Sequence, residues 1–269
     1  MKIEKMHINK ANHQSLRHIL MLEGGGVVSI VGAGGKTSLM FRIARELIEA
    51  GESVLTTTTT KIEMPTKEQS PHVIQSDSIE EILRKAKVLL KKSPHISAVS
   101  KYDSFKMKLI GFKPEFIDEI WKTVLFRWIL VEADGAARKP LKAPSSHEPV
   151  IPMSTRWLIA VVGVDSVGKH LDERWVFRPE IYADITGLSL GEYVNASSIA
   201  AAVMHERGIM KGCPPEAMRF AFINKADIQL GLEAGREIVG YLKKTKGNLT
   251  RAAIGTALYE PPVMEYYDM

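Results

Sequence analysis

The stretch Val27–Met40, VVSIVGAGGKTSLM, constrains this chain more than any other. Val27 to Val31 is an apolar, β-branched run of the kind a sheet buries on both faces. It breaks into Gly32-Ala33-Gly34-Gly35-Lys36-Thr37-Ser38. Apolar residues then recur at 39, 40, 43, 44, 47 and 48, the spacing of one helix face. The pattern predicts a strand, a glycine loop and a helix starting near Lys36. Glycines let backbone N–H groups turn inward where a Cβ would block them, and a helix start adds partial positive charge. Such a loop suits a phosphate. Lys36 would reach the outer phosphates, and the hydroxyl of Thr37 or Ser38 would hold Mg²⁺. A glycine turn that binds nothing would not need Lys-Thr-Ser at the helix start.

One departure matters. The common spacing is G-x-x-x-x-G-K-[ST], but here Gly32 and Gly35 enclose only Ala33 and Gly34. The shortened loop resembles the G-x-x-G-K-T loop of the Mur ligases.

At 269 residues the chain forms one large domain or two small ones and can bury a sizeable core. The expected fold is α/β: three layers around a mostly parallel sheet of P-loop NTPase type, with a helical insertion. Residues 1–23 are expected to pack on the core, residues 24–269 to form a single nucleotide-binding domain, and 166–218 to form a helical sub-lobe. Hydrophobic content of 45% and charged content of 25% are ordinary for a soluble globular protein. The lone Cys213 cannot form an internal disulfide, which suits a reducing cytoplasm. The polar N-terminus and the short apolar run at Ile19–Leu22 give no targeting signal or membrane span. Net charge is a mild +5. The clearest basic run, Arg84 to Lys92, lies on a predicted helix without interleaved aromatics, so neither nucleic acid nor membrane is an expected partner.

Two further strands bear on chemistry. Ser53 to Lys61 reads as a strand parallel to the first, through a right-handed crossover. Its five threonines either serve only as strand formers or offer hydroxyls to Mg²⁺ or a γ-phosphate, with Thr59 the candidate ligand. Residues 126–135, FRWILVEADG, form an apolar run ending in acid, the Walker B pattern. Glu132 and Asp134 lie two apart and share a strand face, so both are candidates for the metal shell and for catalysis beside Lys36. Arg138, Lys139 and Lys142 then either stabilise phosphate charge or pair with those acids. His147-Glu148 offers a proton-transfer pair, or simply a loop histidine bonded to backbone.

The remaining elements are expected as follows. Residues 15–22 form a short helix or strand, 72–75 a strand, and Ser78 caps a helix with Glu81 in a capping box. Ile96–Val99 and Met107–Phe112 pair with each other, and 114–124 and 195–207 are helices. Trp157–Val164 is a strand. Arg219–Ile223 is another, running into Asn224-Lys225-Ala226-Asp227 ahead of a helix over 229–242. That tetrapeptide matches the N-K-x-D of GTPases, in which the Asp selects guanine and the Lys packs over the phosphate loop. A polar turn before a helix is the plainer alternative.

Taken in order, GAGGKTS, TTTTTKI, VEADGAARKPLKAP, HEPVIP, RPE and INKAD resemble the selenium-dependent hydroxylase accessory proteins of YqeC type, from about Leu16 to Asp227. The resemblance implies a P-loop-like protein that helps equip molybdenum hydroxylases with their selenium- and molybdenum-containing centre. Its partners would be such a hydroxylase or its maturation factors. The combined expectation is Mg²⁺-dependent binding and slow hydrolysis of a nucleoside triphosphate, GTP favoured over ATP. Two alternatives stay open: a Mur-like ATP-dependent ligase that activates a carboxylate, and a nucleotide-binding switch or chaperone without turnover.

Overall fold

The computed structural model describes residues 9–10, 15–105, 107–245 and 247–269. Expectations for the remaining residues of the 1–23 segment lie outside those described. A ten-stranded sheet runs, edge to edge, through Asn9–Lys10, Val263–Asp268, Arg251–Gly255, Met218–Asn224, Thr155–Gly163, Gly26–Gly32, Trp128–Glu132, Val54–Thr58, His95–Val99 and Val73–Gln75. Val263–Asp268 pairs antiparallel on both sides, and all other neighbours are parallel. The strand Gly26–Gly32 is buried along its whole length, as a central strand between two helix layers must be.

Handedness explains how the helices are shared out. The step from Gly26–Gly32 to Val54–Thr58 moves one way across the sheet. Every later helical crossover moves the other way, so right-handed connections place their helices on the opposite face. Among the described residues, the helix of the first crossover, α2 (Lys36–Glu49), therefore shares its face with just the short α1 (Leu16–Ile19). The opposite face carries α3 (Ile79–Leu89), α4 (Pro114–Lys122), α5 (Pro179–Thr186), α6 (Ala196–Met204) and α7 (Gly231–Lys244). Within the segment 166–218, α6 packs Ile199 and Val203 into the same core cluster as Ile238 and Leu242 of α7.

The strand after α2, Val54–Thr58, runs parallel to the first in the same sheet as expected, with Trp128–Glu132 inserted between them. Two local expectations change. His95–Val99 lies in the main sheet, whereas Lys108–Ile110 pairs with Lys101–Asp103 and Lys61–Ile62 in a separate three-stranded sheet. Ser78 caps α3 by accepting from the Glu81 N–H, but the Glu81 carboxylate accepts from Ser76 at 2.6 Å and leaves the box half formed.

His95 is a buried basic group held by Thr56, whose Oγ1 lies 3.0 Å from Nε2. Burial depresses its pKa from 6.5 to about 4. The unfolded chain therefore binds a proton that the folded chain refuses. Stability from this site is complete above pH 6.5 and falls as pH drops toward 4, by up to about 3 kcal/mol. Urea titrations at stepped pH check this: His95→Gln should flatten the acid slope relative to the wild type, and an unchanged slope would count against it.

Candidate functional site

The first strand ends at Gly32 and α2 begins at Lys36, with Gly35 as its N-cap. Gly32, Gly34 and Gly35 hold φ of +94°, +81° and +125°. A Cβ at Gly32 would collide with the Val161 carbonyl, and one at Gly35 with the Asn224 amide. Packing against neighbouring strand ends therefore requires these glycines whatever the loop binds. The loop's first three N–H groups are also spent. Gly32 donates to Asp134 at 3.0 Å, Ala33 to the Val161 carbonyl at 2.9 Å and Gly34 to the Lys139 carbonyl at 3.1 Å. Anion-binding capacity is left to Gly35–Ser38, where the helix start has no side-chain cap and no acid in its first turn.

Lys36 is buried and folded back toward the loop. Its Nζ donates to the Gly32 carbonyl at 2.7 Å and lies 3.3 Å from Asp134 and 3.7 Å from Glu132. Burial works against its charge, but Asp134 and Glu132 outweigh burial and hold its pKa above the ordinary lysine value. The reverse holds for Glu132, where desolvation raises the pKa and Lys36 and Thr37 only partly offset it. Thr37 Oγ1 donates to Glu132 Oε2 at 2.6 Å.

Behind the loop a row of alternating charges continues. Asp134, fully buried, lies 3.0 Å from Lys142, itself fully buried. Lys142 donates to the Gly135 carbonyl and to Glu148, each at 2.6 Å, and Arg178 reaches Glu148 at 2.6 Å. Burial pushes Glu148 up, yet Arg178 and Lys142 hold its pKa below the usual carboxylate range.

A cavity of about 700 Å³ opens in front of Lys36, between Gly34–Ser38, Glu132, Gly135–Lys139 and Lys225. It sits outside the carboxyl ends of the parallel strands, beside the point where the chain reverses its direction across the sheet. Open α/β folds bind ligands there. Three of its lining residues, Ala137, Arg138 and Lys225, adopt left-handed backbone at φ of +46°, +61° and +65°. Strain of this kind collects at functional sites.

The expected site residues therefore separate. Gly34, Gly35, Lys36, Thr37, Ser38, Glu132 and Lys225 line the cavity. Gly32 and Ala33 are spent on structure. Asp134, expected in the metal shell, instead braces the loop from behind with both Gly32 and Lys142. Thr59, expected as a metal ligand, turns its hydroxyl onto the Val150 carbonyl at 2.7 Å, and it is Thr60 that reaches the cavity. Asn224 braces rather than lines: its Nδ2 donates to the Gly34 carbonyl at 2.7 Å and its Oδ1 accepts from Ala257 at 2.9 Å. Asp227 is exposed and lies outside the cavity wall, as does His147. Of the three cations after the acids, Lys142 pairs with Asp134 and Arg138 pairs with Glu63, while Lys139 meets the Arg174 carbonyl.

The donor set suits Mg²⁺ in one manner only. Among the described residues no group of three or more His, Cys, Asp or Glu could cage a metal. A hydroxyl and a carboxylate facing a cavity can hold Mg²⁺ when phosphate and water oxygens complete the octahedron. Thr37 and Glu132 provide that pair. The ion would supply positive charge against the phosphates.

Residues missed by motif reading include Arg178, which completes the charge row by pairing with Glu148, and Asp165, which lies 2.6 Å from Lys225. Glu148 and Arg178 fall inside the HEPVIP and RPE segments, but nothing in either segment names the partner.

Residues 28–180 match the family model described as YqeC protein. Over 199 residues the chain is also 40% identical to the uncharacterized protein YqeC of Escherichia coli (strain K12), covering 74% of this chain and 75% of that one. This chain belongs to the YqeC family. Among solved structures, similarity extends to the MinC:MinD cell division complex of Aquifex aeolicus, at TM-score 0.45 and 14% identity over 88% of this chain and 82% of that one. It extends also to FtsY from Mycoplasma mycoides, at TM-score 0.37 and 10% identity over 90% and 64% of the two chains. A third likeness is to FlhF complexed with GTP and Mg²⁺, at TM-score 0.37 and 9% identity over 94% and 75%. For this YqeC family member, no helix among the described residues is long and apolar enough to cross a membrane.

Proposed function

We propose that this protein binds a Mg²⁺–nucleoside triphosphate on Gly35–Ser38 and hydrolyses it slowly. One observation carries the reading: a charged Lys36 and the Thr37–Glu132 pair flank uncapped helix N–H groups at the mouth of a single cavity. The phosphates would draw on those N–H groups and on Lys36.

Charge balance adds a requirement. Lys36 now balances Glu132 and Asp134, so a phosphate that captures it leaves two buried carboxylates with one cation fewer. A divalent ion must replace that charge, and binding should be tightly coupled to Mg²⁺. Isothermal titration with GTP and ATP, with Mg²⁺ and with EDTA, tests both points. Binding only with Mg²⁺ is expected. No binding of either nucleotide with Mg²⁺ defeats the proposal.

Guanine preference rests on Asn224-Lys225-Ala226-Asp227: Lys225 lines the cavity and the exposed Asp227 carboxylate is open to a base. Equal affinity for GTP and ATP would remove the role given to Asp227 and nothing else. In the cell, turnover would serve assembly of a selenium-dependent molybdenum hydroxylase, a role supported by the family resemblance. Cells lacking this protein should then accumulate that hydroxylase without its complete centre, and a fully loaded enzyme in such cells would exclude the role.

A further inference from the structure

After the internal ion pairs are drawn, the cavity keeps an uneven charge. Lys61 faces Asp103 at 2.9 Å and Lys225 faces Asp165 at 2.6 Å, just as Lys36 faces its two acids. Among the described residues Lys139 reaches the Arg174 carbonyl, at 3.1 Å, and no carboxylate. Lys108, which also lines the cavity, has no carboxylate partner among the described residues. Arg138 lines the same cavity, and its guanidinium already holds a carboxylate: its Nε donates to Glu63 at 3.0 Å. Both side chains of that pair are mostly exposed, at 82% and 54%, so the contact is easily exchanged.

Geometry ties this wall to the phosphate loop. Ala137 and Arg138 are successive left-handed residues, and the next carbonyl, that of Lys139, accepts the Gly34 N–H at 3.1 Å. The strained turn therefore abuts the loop and holds Arg138 at the cavity wall. Phe177 adds an apolar surface to the same cavity.

We infer that Arg138, with Lys108 and Lys139, binds a small carboxylic acid carrying an apolar body, and that Glu63 occupies the acid's position when it is absent. A guanidinium fork matches a carboxylate, the first-turn N–H groups are left for phosphate, and Phe177 suits an apolar flank. The acid's position beside a terminal phosphate rests on the nucleotide proposal, but its binding to this wall does not.

The test uses the full chain and 4-fluorobenzoate as probe, followed by ¹⁹F line broadening, with neutral 4-fluorobenzyl alcohol as control and Mg²⁺–nucleotide titrations run in parallel. The acid should broaden and the alcohol should not. The Arg138→Ala/Lys139→Ala variant should weaken acid binding about tenfold or more, and Glu63→Gln should tighten it about threefold. No broadening by the wild type at about 10 mM probe overturns the inference. Indifference of both variants does so too. If the double variant weakens Mg²⁺–GTP as much as the acid, the wall serves the triphosphate and the inference also fails. If the wild type binds the acid with this variant pattern but no nucleotide, the inference stands and the proposed function falls.

Discussion

Replacing Lys142 with methionine is expected to cost about 3–5 kcal/mol of unfolding free energy, although Lys142 itself lies in a strand and not in the phosphate loop. Lys142 is fully buried and lies 3.0 Å from the fully buried Asp134 and 2.6 Å from Glu148. Methionine matches its length and removes its charge. Asp134 then keeps Lys36 and the Gly32 N–H but loses the cation behind it, while the Gly135 carbonyl loses its donor. Leaving a buried carboxylate short of partners is far worse than replacing a whole pair. The double variant Lys142→Met/Asp134→Asn should therefore recover part of the loss, a coupling that a double-mutant cycle in urea would read directly. A loss below about 1 kcal/mol, or strict additivity, would show that the row of charges does not hold the loop.

Lys36→Ala should abolish measurable triphosphate binding, a fall of about 100-fold or more, because an ammonium in a desolvated site contributes roughly 1.5–3 kcal/mol per charged hydrogen bond. The same change leaves Glu132 and Asp134 underbalanced, so stability must be measured on the same sample. Thr37→Ala separates the two effects. It keeps the ammonium and removes only a hydroxyl whose partner is Glu132 at 2.6 Å. Its folding should change by about 1 kcal/mol, while the Mg²⁺ concentration needed for nucleotide binding should rise about tenfold. Calorimetric titration of Mg²⁺ at fixed nucleotide measures that requirement, and an unchanged one would remove Thr37 from the metal site.

Much of the fold was legible along the chain because it depends on neighbours a few residues apart. Apolar runs announced Gly26–Gly32, Trp128–Glu132, Thr155–Gly163 and Met218–Asn224, and helical spacing announced α2, α3, α4 and α7. Strand pairing was less legible. Lys108–Ile110 joins Lys101–Asp103 and Lys61–Ile62 instead of Ile96–Val99, because an isolated short strand has no local signal for which edge it joins. The threonine run shows the same limit. Its β propensity was plain, but whether Thr59 or Thr60 faces the cavity depends on a carbonyl at Val150, far along the chain.

By itself the sequence determined that a strand, a glycine turn and a lysine-bearing helix would follow one another at Val27–Glu49, and that acids would close the strand at Glu132. Those features are short-range, set by side-chain periodicity and backbone permission. Only the tertiary structure decided which acid faces the cavity and which lies behind it. Gly32 meets Asp134 across 102 residues of chain, and Asn224 meets Gly34 across 190. Such contacts arise from strand order and from which carboxylates a buried cation can reach. Both follow from how all the crossovers pack together, and no window of sequence contains them.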